Sequence, residues 1–295
     1  MAPALVTGAS SGFGRSVTEA VLARGDTVVA TLRHPPALSN VVAKYDASRL
    51  LVLSLDVTKP DEICVAFSEA LQAFGRIDVV FNNAGSCVVG EAEGMSEEHA
   101  RGLFEVLFWG AANVTKEAVK TFRDVNKPPG GRLLQMSSRT ALEVLPGCTH
   151  YAAAKAALEC LSEGYAAELD PTWNIKITLV EPALFRTQAP RKNILAPVHP
   201  AYTNPLLPSR KYRSLYGQPG IELLSNGDSD KLASAMYRLA TLDDPPFRLP
   251  LHKVALDAAG RKGRGLLEAA NTYKTWSDDI YLDDDNTIGK LICSH

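Results

Sequence analysis

The 295-residue sequence has no long apolar run, and this absence excludes one class of protein. Its uninterrupted apolar runs are short, as in Val79-Val80-Phe81, whereas a helix needs about 20 apolar residues to cross a bilayer. No basic and apolar leader of the secretory type precedes the first strand-like segment. We therefore expect a protein without a membrane span.

The sequence also has little excess of either charge and few cysteines. It contains 31 Lys and Arg residues against 33 Asp and Glu, and no basic block that could neutralise a phosphate backbone. Its five cysteines are scattered and never spaced C-x-x-C, which argues against a disulfide framework or a zinc site. We expect no nucleic-acid partner, no metal site and a reducing, cytoplasmic setting.

What the sequence does contain is a regular alternation of strand-like and helix-like segments. Short apolar strands are predicted at 4–7, 27–31, 50–55, 77–81, 132–136 and 175–180. Apolar residues at helical spacing lie between them, most extensively over 96–125 and 151–169. Apolar strands that alternate with helices are typical of a parallel sheet covered on both faces. The sequence predicts an α/β fold, a doubly wound Rossmann-type sheet, in one domain spanning 1–295.

The alternation ends after Thr187. Residues 188–228 have no clear period, and six of the chain's 18 prolines lie between 188 and 220. We predict that the 188–228 segment forms a lid or long loop at a substrate pocket. Helices are predicted beyond it at 230–242 and 252–272. They would form a C-terminal helical extension over 229–276, followed by an acidic surface tail at 277–295.

A glycine-rich turn follows the first predicted strand and opens the first helix. It reads Thr7-Gly8-Ala9-Ser10-Ser11-Gly12-Phe13-Gly14. At such a place backbone N–H groups and the helix dipole can hold a pyrophosphate. The spacing is G-x-x-x-G-x-G rather than G-x-G-x-x-G, and glycine-rich turns are common. The turn alone therefore leaves nucleotide binding and a simple tight turn equally open.

A tyrosine, a lysine and a serine form the second motif. Of the nine tyrosines only Tyr151 has a lysine four residues later, Lys155, which places both on one face of a predicted helix. A nearby ammonium group is expected to lower the pKa of Tyr151 toward working pH, which would make it a usable acid or base. Ser138 ends the fifth predicted strand, where sheets of this type bind ligands. The alternative is a chance Tyr/Lys pair on a surface helix.

With Asn82-Asn83-Ala84-Gly85 after the fourth strand, the motifs of residues 4–187 resemble those of the short-chain dehydrogenase/reductase family in type and order. The resemblance implies that Tyr151 exchanges a proton with the reacting oxygen, that Lys155 also holds the nicotinamide ribose, and that Ser138 orients the carbonyl or hydroxyl. Tyr151 and Lys155 would thus serve the cofactor as well. It further implies cofactor contacts from Gly8, Ser10, Ser11, Gly12, Phe13, Gly14, Asp56, Val57, Asn83, Ala84, Gly85, Pro182, Ala183, Phe185 and Thr187.

One position departs from the family pattern. The family usually carries an asparagine in an N-x-x-G setting, and this asparagine holds a water that relays protons from the lysine. Here Gly110 places Leu107 at that position. Asn113 should face about 240° away around the helix, so we do not assign it this role. Either the relay is impaired, or Leu107 packs and the proton reaches solvent by another path.

The end of the second strand bears on the choice of cofactor. An NAD enzyme needs a carboxylate there to accept from the ribose hydroxyls. This sequence has Leu32 at the expected acidic position and Arg33 just after it, while Asp26 lies at the wrong end of the strand. A guanidinium forms charge-assisted bonds with a 2′-phosphate. The sequence therefore predicts NADP(H) as the cofactor.

The substrate is predicted only as a class. The residues expected to border the pocket are Cys87, Glu143, Val144, Leu145, Cys148, His150 and, from the 188–228 segment, Tyr202, Tyr212 and Tyr216. Alternatively, the three tyrosines only anchor their loop to the core. A mostly apolar pocket suits a lipophilic carbonyl or alcohol.

We predict an NADP(H)-dependent oxidoreductase. The alternative is a non-redox, cyclase-like catalyst or a dinucleotide-binding regulatory protein on the same scaffold. The oligomeric state, a homo-oligomer included, is left open.

Overall fold

The protein is described here by a computed structural model covering residues 3–278, apart from 217 and 219, together with residue 280. Its strands are β1 Pro3–Thr7, β2 Thr27–Leu32, β3 Leu50–Ser54, β4 Val79–Asn82, β5 Val88–Val89, β6 Gly131–Met136, β7 Ile175–Pro182, β8 Ile194–Leu195 and β9 Arg248–Leu251. Its helices are α1 Gly12–Ala23, α2 Ser39–Val42, α3 Pro60–Phe74, α4 Glu97–Phe104, α5 Ala111–Lys120, α6 Arg139–Leu142, α7 Thr149–Glu168, α8 Ala189–Lys192, α9 Pro208–Leu215, α10 Ser229–Ala240 and α11 Lys253–Thr272.

Seven of the strands form one parallel sheet in the order β3-β2-β1-β4-β6-β7-β9. Both faces of this sheet are covered, because successive residues of β1 enter different cores: Val6 packs with α1 and α10, and Leu5 with α3 and α5. Every residue of β1 and β2 is buried. This arrangement confirms the predicted doubly wound α/β fold.

The strand order fixes where a ligand can bind. From β1 the chain first moves outward through β2 and β3, then crosses back to β4 and continues through β6, β7 and β9. The crevice at the carboxyl ends of β1 and β4 is therefore the topological switch point, where doubly wound sheets bind their ligands. The glycine-rich turn after β1 and the Asn-Ala-Gly segment after β4 both open into this crevice.

The sequence did not predict strand β9. Pro245 and Pro246 precede it and Pro250 lies inside it, which is a poor strand pattern. As the last strand of the sheet, β9 pairs only with β7, and an edge strand tolerates a proline because one row of its backbone groups needs no ladder partner. The two helices predicted after residue 229 are confirmed as α10 and α11.

The 188–228 segment has more structure than its sequence predicts. It contains α8, β8, α9 and single turns of 3₁₀-helix, and β8 pairs in parallel with β5 just after the Asn-Ala-Gly segment. Pro208 occupies the first turn of α9, where a proline is tolerated. The predicted acidic tail lies outside the described residues, apart from 277, 278 and 280. None of the described helices is long and apolar enough to span a membrane.

Candidate active site

The turn between β1 and α1 has room only for glycine at two positions. Gly8 has a φ of +69°, and a Cβ on Gly14 would lie 2.4 Å from the Gly8 carbonyl oxygen. Asn83, from the end of β4, pins the turn by donating from its side-chain Nδ2 to the Thr7 carbonyl at 2.9 Å. Helix α1 therefore starts close against the sheet, with its N-terminus open to the crevice.

The start of α1 fits the phosphates of a dinucleotide. The backbone N–H groups of a first helical turn have no partner inside the helix. Ser11 occupies the N-cap, and within the described part of the chain its side chain makes no capping hydrogen bond. No acidic residue lies in the first turn to repel an anion. These donors are thus left for an anionic ligand, as the sequence implied for Gly12, Phe13 and Gly14.

The end of β2 carries a buried leucine followed by an exposed cation. Leu32 is only 3% exposed and belongs to the core, whereas Arg33 is exposed just beyond β2. Burial opposes ionisation of Asp56, but hydrogen bonds from Thr58 and the nearby charge of Arg33 hold the pKa of Asp56 below its usual value. The Val57 side chain packs against Gly110 and is only 6% exposed.

The structure brings Ser138, Tyr151 and Lys155 together at the carboxyl end of β6. Ser138 follows β6 and caps α6, and its Oγ accepts hydrogen bonds from the backbone N–H of Thr140 at 3.2 Å and from Thr140 Oγ1 at 2.9 Å. The Ser138 side chain also interacts with Tyr151, and this interaction acts to lower the pKa of Tyr151. Lys155 lies one turn further along α7, and its Nζ donates to the Met136 carbonyl at 2.6 Å.

The expected lowering of the Tyr151 pKa is wrong for this arrangement. Burial raises the pKa of Tyr151 above its ordinary value, and Cys87, Cys148 and Tyr216 act in the same direction against the hydrogen bond from Ser138. Lys155 does not counter this, because its ammonium group is directed to the Met136 carbonyl. Burial also lowers the pKa of Lys155 to about 8, opposed by Glu159. Tyr151 is therefore protonated at neutral pH, the form of a general acid.

Leu107 fills the space next to the catalytic helix. It lies in a π-helical turn, Glu105–Gly110, that joins α4 to α5, and it is fully buried with Leu103 and Ala154. A Cβ on Gly85 would approach its Cδ2 to 3.1 Å. Such widened turns are frequent at functional sites. Here the turn places an apolar side chain between the Asn-Ala-Gly segment and α7.

The 188–228 segment also contributes side chains near Tyr151. The Cys148 thiol, which is 3% exposed, interacts with the Cys87 thiol and with the Tyr212 hydroxyl. The Tyr212 and Tyr216 hydroxyls lie 2.8 Å apart, and the Tyr216 side chain acts on the Tyr151 pKa. These two tyrosines and two cysteines therefore lie near Tyr151.

Three other residues expected at the pocket lie elsewhere. Tyr202 donates to Glu93 at 3.0 Å on the surface, and Val144 is 54% exposed. Glu143 forms a forked ion pair with Arg261 of α11, at 2.7 and 3.1 Å. The reason is that α11 returns against α6, which sequence periodicity does not reveal. The C-terminal helix thus braces the segment that follows Ser138.

The Pro-Ala loop after β7 closes onto the glycine-rich turn. The Phe185 ring packs edge-on against Phe13 with centroids 5.5 Å apart, and Thr187 lies 3.6 Å from where a Cβ on Gly12 would be. Pro182 ends β7, and Ala183 donates from its backbone N–H to the Leu251 carbonyl at 3.3 Å. The structure therefore places this loop at the crevice, as the resemblance implied.

Sequence reasoning missed a buried charged cluster behind Lys155. Arg248, at the start of β9, donates from Nη1 to Glu159 of α7 at 2.7 Å and to Glu181 of β7 at 2.6 Å. Ser137, next to the catalytic serine, donates to Glu159. Burial and the Glu159 charge raise the pKa of Glu181 to about 7, against Arg248. The cluster was missed because its cation lies on the unpredicted strand.

No metal-binding group is evident in the described part of the chain. Its His, Cys, Asp and Glu side chains form no set of three that could hold a metal ion.

Comparisons with known proteins identify the class to which this site belongs. The short chain dehydrogenase family profile matches residues 2–195. An uncharacterized oxidoreductase of Schizosaccharomyces pombe is 36% identical over 282 residues, 95% of this chain and 92% of that protein. A short-chain dehydrogenase from Streptomyces avermitilis, solved by crystallography, is 34% identical with a TM-score of 0.82, over 95% of this chain and 98% of that one. The chain belongs to the short-chain dehydrogenase/reductase family and is an oxidoreductase.

More distant structures show the fold alone. A short-chain dehydrogenase/reductase from Burkholderia phymatum, solved in complex with NAD, is 22% identical with a TM-score of 0.75, over 91% of this chain and 95% of that one. It shares the fold of this chain and was solved with NAD bound. A small-molecule substrate and a nicotinamide cofactor are the ligands that such an oxidoreductase implies.

Proposed function

We propose that this protein is an NADP(H)-dependent oxidoreductase that transfers a hydride between nicotinamide and a carbonyl or alcohol of a lipophilic small molecule. The observation that carries the proposal is the convergence of Ser138 and Tyr151 beside Lys155, at the carboxyl end of β6. The two hydroxyls can hold one substrate oxygen between them.

Each of the three residues has a different role in the proposed reaction. A bound nicotinamide cofactor would supply or accept the hydride. Ser138 orients the substrate oxygen, and Tyr151 donates its proton to that oxygen when a carbonyl is reduced. Lys155 contributes a buried positive charge and, with its remaining N–H donors, would hold the nicotinamide ribose. Because burial keeps Tyr151 protonated, the site is better prepared for reduction than for oxidation.

NADP(H) is preferred because the end of β2 offers a cation and no carboxylate. Arg33 is exposed beyond β2, and the carboxylate near it, that of Asp56, follows β3 instead. The position where an NAD enzyme needs an acid is filled by the buried Leu32. An exposed guanidinium is well suited to a 2′-phosphate.

The variant Arg33→Asp is expected to bind NADPH about tenfold to a hundredfold more weakly, because one charge-assisted contact is lost and a repulsive charge is added. Its affinity for NADH should change much less. Fluorescence titration with both cofactors measures this. Arg238→Asp, which makes the same charge change at an exposed position of α10, is the matched control. Equal affinities of the natural protein for NADH and NADPH would refute the assignment of Arg33.

The substrate is proposed to be lipophilic because apolar and weakly polar groups surround Tyr151. Leu107 and Val88 lie in the buried cluster to which Tyr151 belongs. Cys148, at the end of the loop between α6 and α7, also lies near Tyr151. Tyr212 and Tyr216 from the 188–228 segment add aromatic surface, so we propose that this segment is the substrate lid. A panel of aliphatic, aromatic and polycyclic ketones, assayed by NADPH absorbance, tests the proposal; turnover of small polar carbonyls alone would contradict it.

We propose that Leu107 occupies the position of the family's asparagine, and that it packs while the proton leaves by another path. Leu107→Asn should then leave NADPH affinity unchanged and lower the free energy of unfolding by about 1–3 kcal/mol, since a buried amide lacks partners. Leu103→Asn, one turn earlier in the same cluster, should cost a similar amount. A tenfold or greater gain in the rate of carbonyl reduction by Leu107→Asn, with loss of a solvent isotope effect, would show instead that the natural relay is restrained.

A further inference from the structure

The carboxyl end of β6 is tied to α7 by hydrogen bonds from two successive residues. The Met136 carbonyl accepts from Lys155 Nζ at 2.6 Å, and Ser137 donates from its Oγ to the carboxylate of Glu159. Lys155 and Glu159 are four residues apart on α7, so they share one face of the helix. The strand and the helix are therefore held together at the residues directly before Ser138.

Glu159 is itself held in place from the neighbouring strands. It is 5% exposed and Ser137 is 2% exposed. Arg248 donates from Nη1 to Glu159 at 2.7 Å and to Glu181 at 2.6 Å, while the Ser137 backbone N–H donates to the carbonyl of Val180 at 2.8 Å. Buried ion pairs add little net stability compared with apolar side chains of similar volume. Stability alone therefore does not account for a carboxylate at this position.

The charged groups around Glu159 come from its own helix and from two strands. Lys155 lies one turn earlier on α7 and Glu163 one turn later, while Glu181 lies on β7 and Arg248 on β9. Glu163 is 69% exposed and approaches Arg248 only to 3.9 Å. Burial lowers the pKa of Lys155 to about 8, and the charge of Glu159 opposes this lowering. Glu159 thus keeps Lys155 in its ammonium form to a higher pH.

We propose that Glu159 is a positioning residue of this active site. Through Ser137 it fixes Ser138 against Tyr151. Through its negative charge it keeps Lys155 as an ammonium ion. The proposal rests on the proposed function, because it assumes that these neighbours act on a substrate carbonyl. A misplacement of about 1 Å at a reacting group can cost about 10²-fold in rate, so the loss of Glu159 should affect turnover more than binding.

Two substitutions of Glu159 separate its contact from its charge. Glu159→Ala removes both, so kcat for the fastest ketone of the panel should fall about tenfold or more, with NADPH affinity changed less than about twofold. Glu159→Gln keeps an oxygen that can accept from Ser137, and it should retain most of the rate near about pH 6. Calorimetry and NADPH absorbance measure the two quantities.

The pH profile of kcat reports the charge of Glu159. In the natural protein the rate should decline as the pH rises through the Lys155 pKa of about 8, because the ammonium ion is lost. Removing a nearby anion lowers the pKa of an ammonium group. In Glu159→Gln the decline should therefore begin about one pH unit lower. A purely structural role of Glu159 would not move this limb of the profile.

A double-mutant cycle tests the contact without any substrate. Ser137→Ala removes a single hydroxyl and should lower kcat about twofold to tenfold. Urea unfolding of Ser137→Ala, Glu159→Ala and the double variant should give non-additive losses of stability, because both single changes break the same hydrogen bond. The double variant should likewise be no slower than Glu159→Ala. Ser137→Ala and Glu159→Gln carry the test if Glu159→Ala does not fold.

Glu163→Gln is the matched control, because Glu163 lies on the same helix and near the same arginine but is largely exposed. Its kcat and pH profile should equal those of the natural protein. Coincident pH profiles of Glu159→Gln and the natural protein overturn the proposal, and so do additive effects of Ser137→Ala and Glu159→Ala. A loss of NADPH affinity as large as the loss of kcat also refutes the positioning role. Failure of the natural protein to bind NADPH or to reduce any ketone would instead contradict the proposed function.

Discussion

Tyr151→Phe is expected to reduce turnover by about 10²- to 10⁴-fold, the usual contribution of a general acid. The substitution removes the hydroxyl and keeps the ring that packs beside Leu107 and Ala154. Folding and NADPH affinity should therefore survive. Steady-state rates of carbonyl reduction, with thermal unfolding and cofactor titration of the same preparation, measure all three quantities.

Tyr165→Phe is the matched control for this experiment. Tyr165 lies on the same helix, α7, and packs in the core with α3 and α5. It is remote from Ser138. Its loss should leave turnover unchanged. If Tyr151→Phe reduced carbonyls at the natural rate, the proton donor would have to be sought elsewhere and the non-redox alternative would gain support.

The sheet could be predicted because local sequence determines it. The six strands that were predicted are largely apolar and are separated by segments of helical period, so neither tertiary contacts nor special turns were needed to find them. Strand β9 was missed because its stability comes from pairing with β7 at the sheet edge, which overrides its prolines. Helix α9 was missed because the prolines around it suggest a loop, although Pro208 in fact begins it.

The site could be predicted only where its residues share a short motif. Tyr151 and Lys155 are one helical turn apart, so their proximity follows from the sequence alone. The pKa of Tyr151 was predicted in the wrong direction because it depends on burial and on Cys87 and Cys148, which come from other segments. Arg248 was missed for the same reason, since it acts on residues far away in the chain.

Arg248→Met is expected to cause the largest loss of stability, about 2–4 kcal/mol. Breaking a buried ion pair by removing one partner typically costs about 3–5 kcal/mol, because the remaining charge is left unpaired. Here Glu159 and Glu181 would both lose their cation, while 39% of the Arg248 side chain is exposed, so solvent screens part of the interaction. Urea unfolding near neutral pH measures the loss. Arg264→Met, at an exposed position of α11, should change stability by less than about 0.5 kcal/mol.

The dependence of this loss on pH identifies its cause. Glu181 already has a folded pKa of about 7, above the ordinary 4.5, so the folded state binds a proton more tightly than the unfolded state. The contribution of Glu181 to stability is therefore present at low pH and is lost as the pH rises through this window. Without Arg248 the pKa of Glu181 should rise further. The deficit of Arg248→Met should thus be small near about pH 5, where Glu181 is neutral, and largest near about pH 8. Adding Glu181→Gln to Arg248→Met should recover part of the stability at the higher pH only. A deficit that is the same across this pH range would show that Arg248 stabilises the fold by packing rather than by its charge.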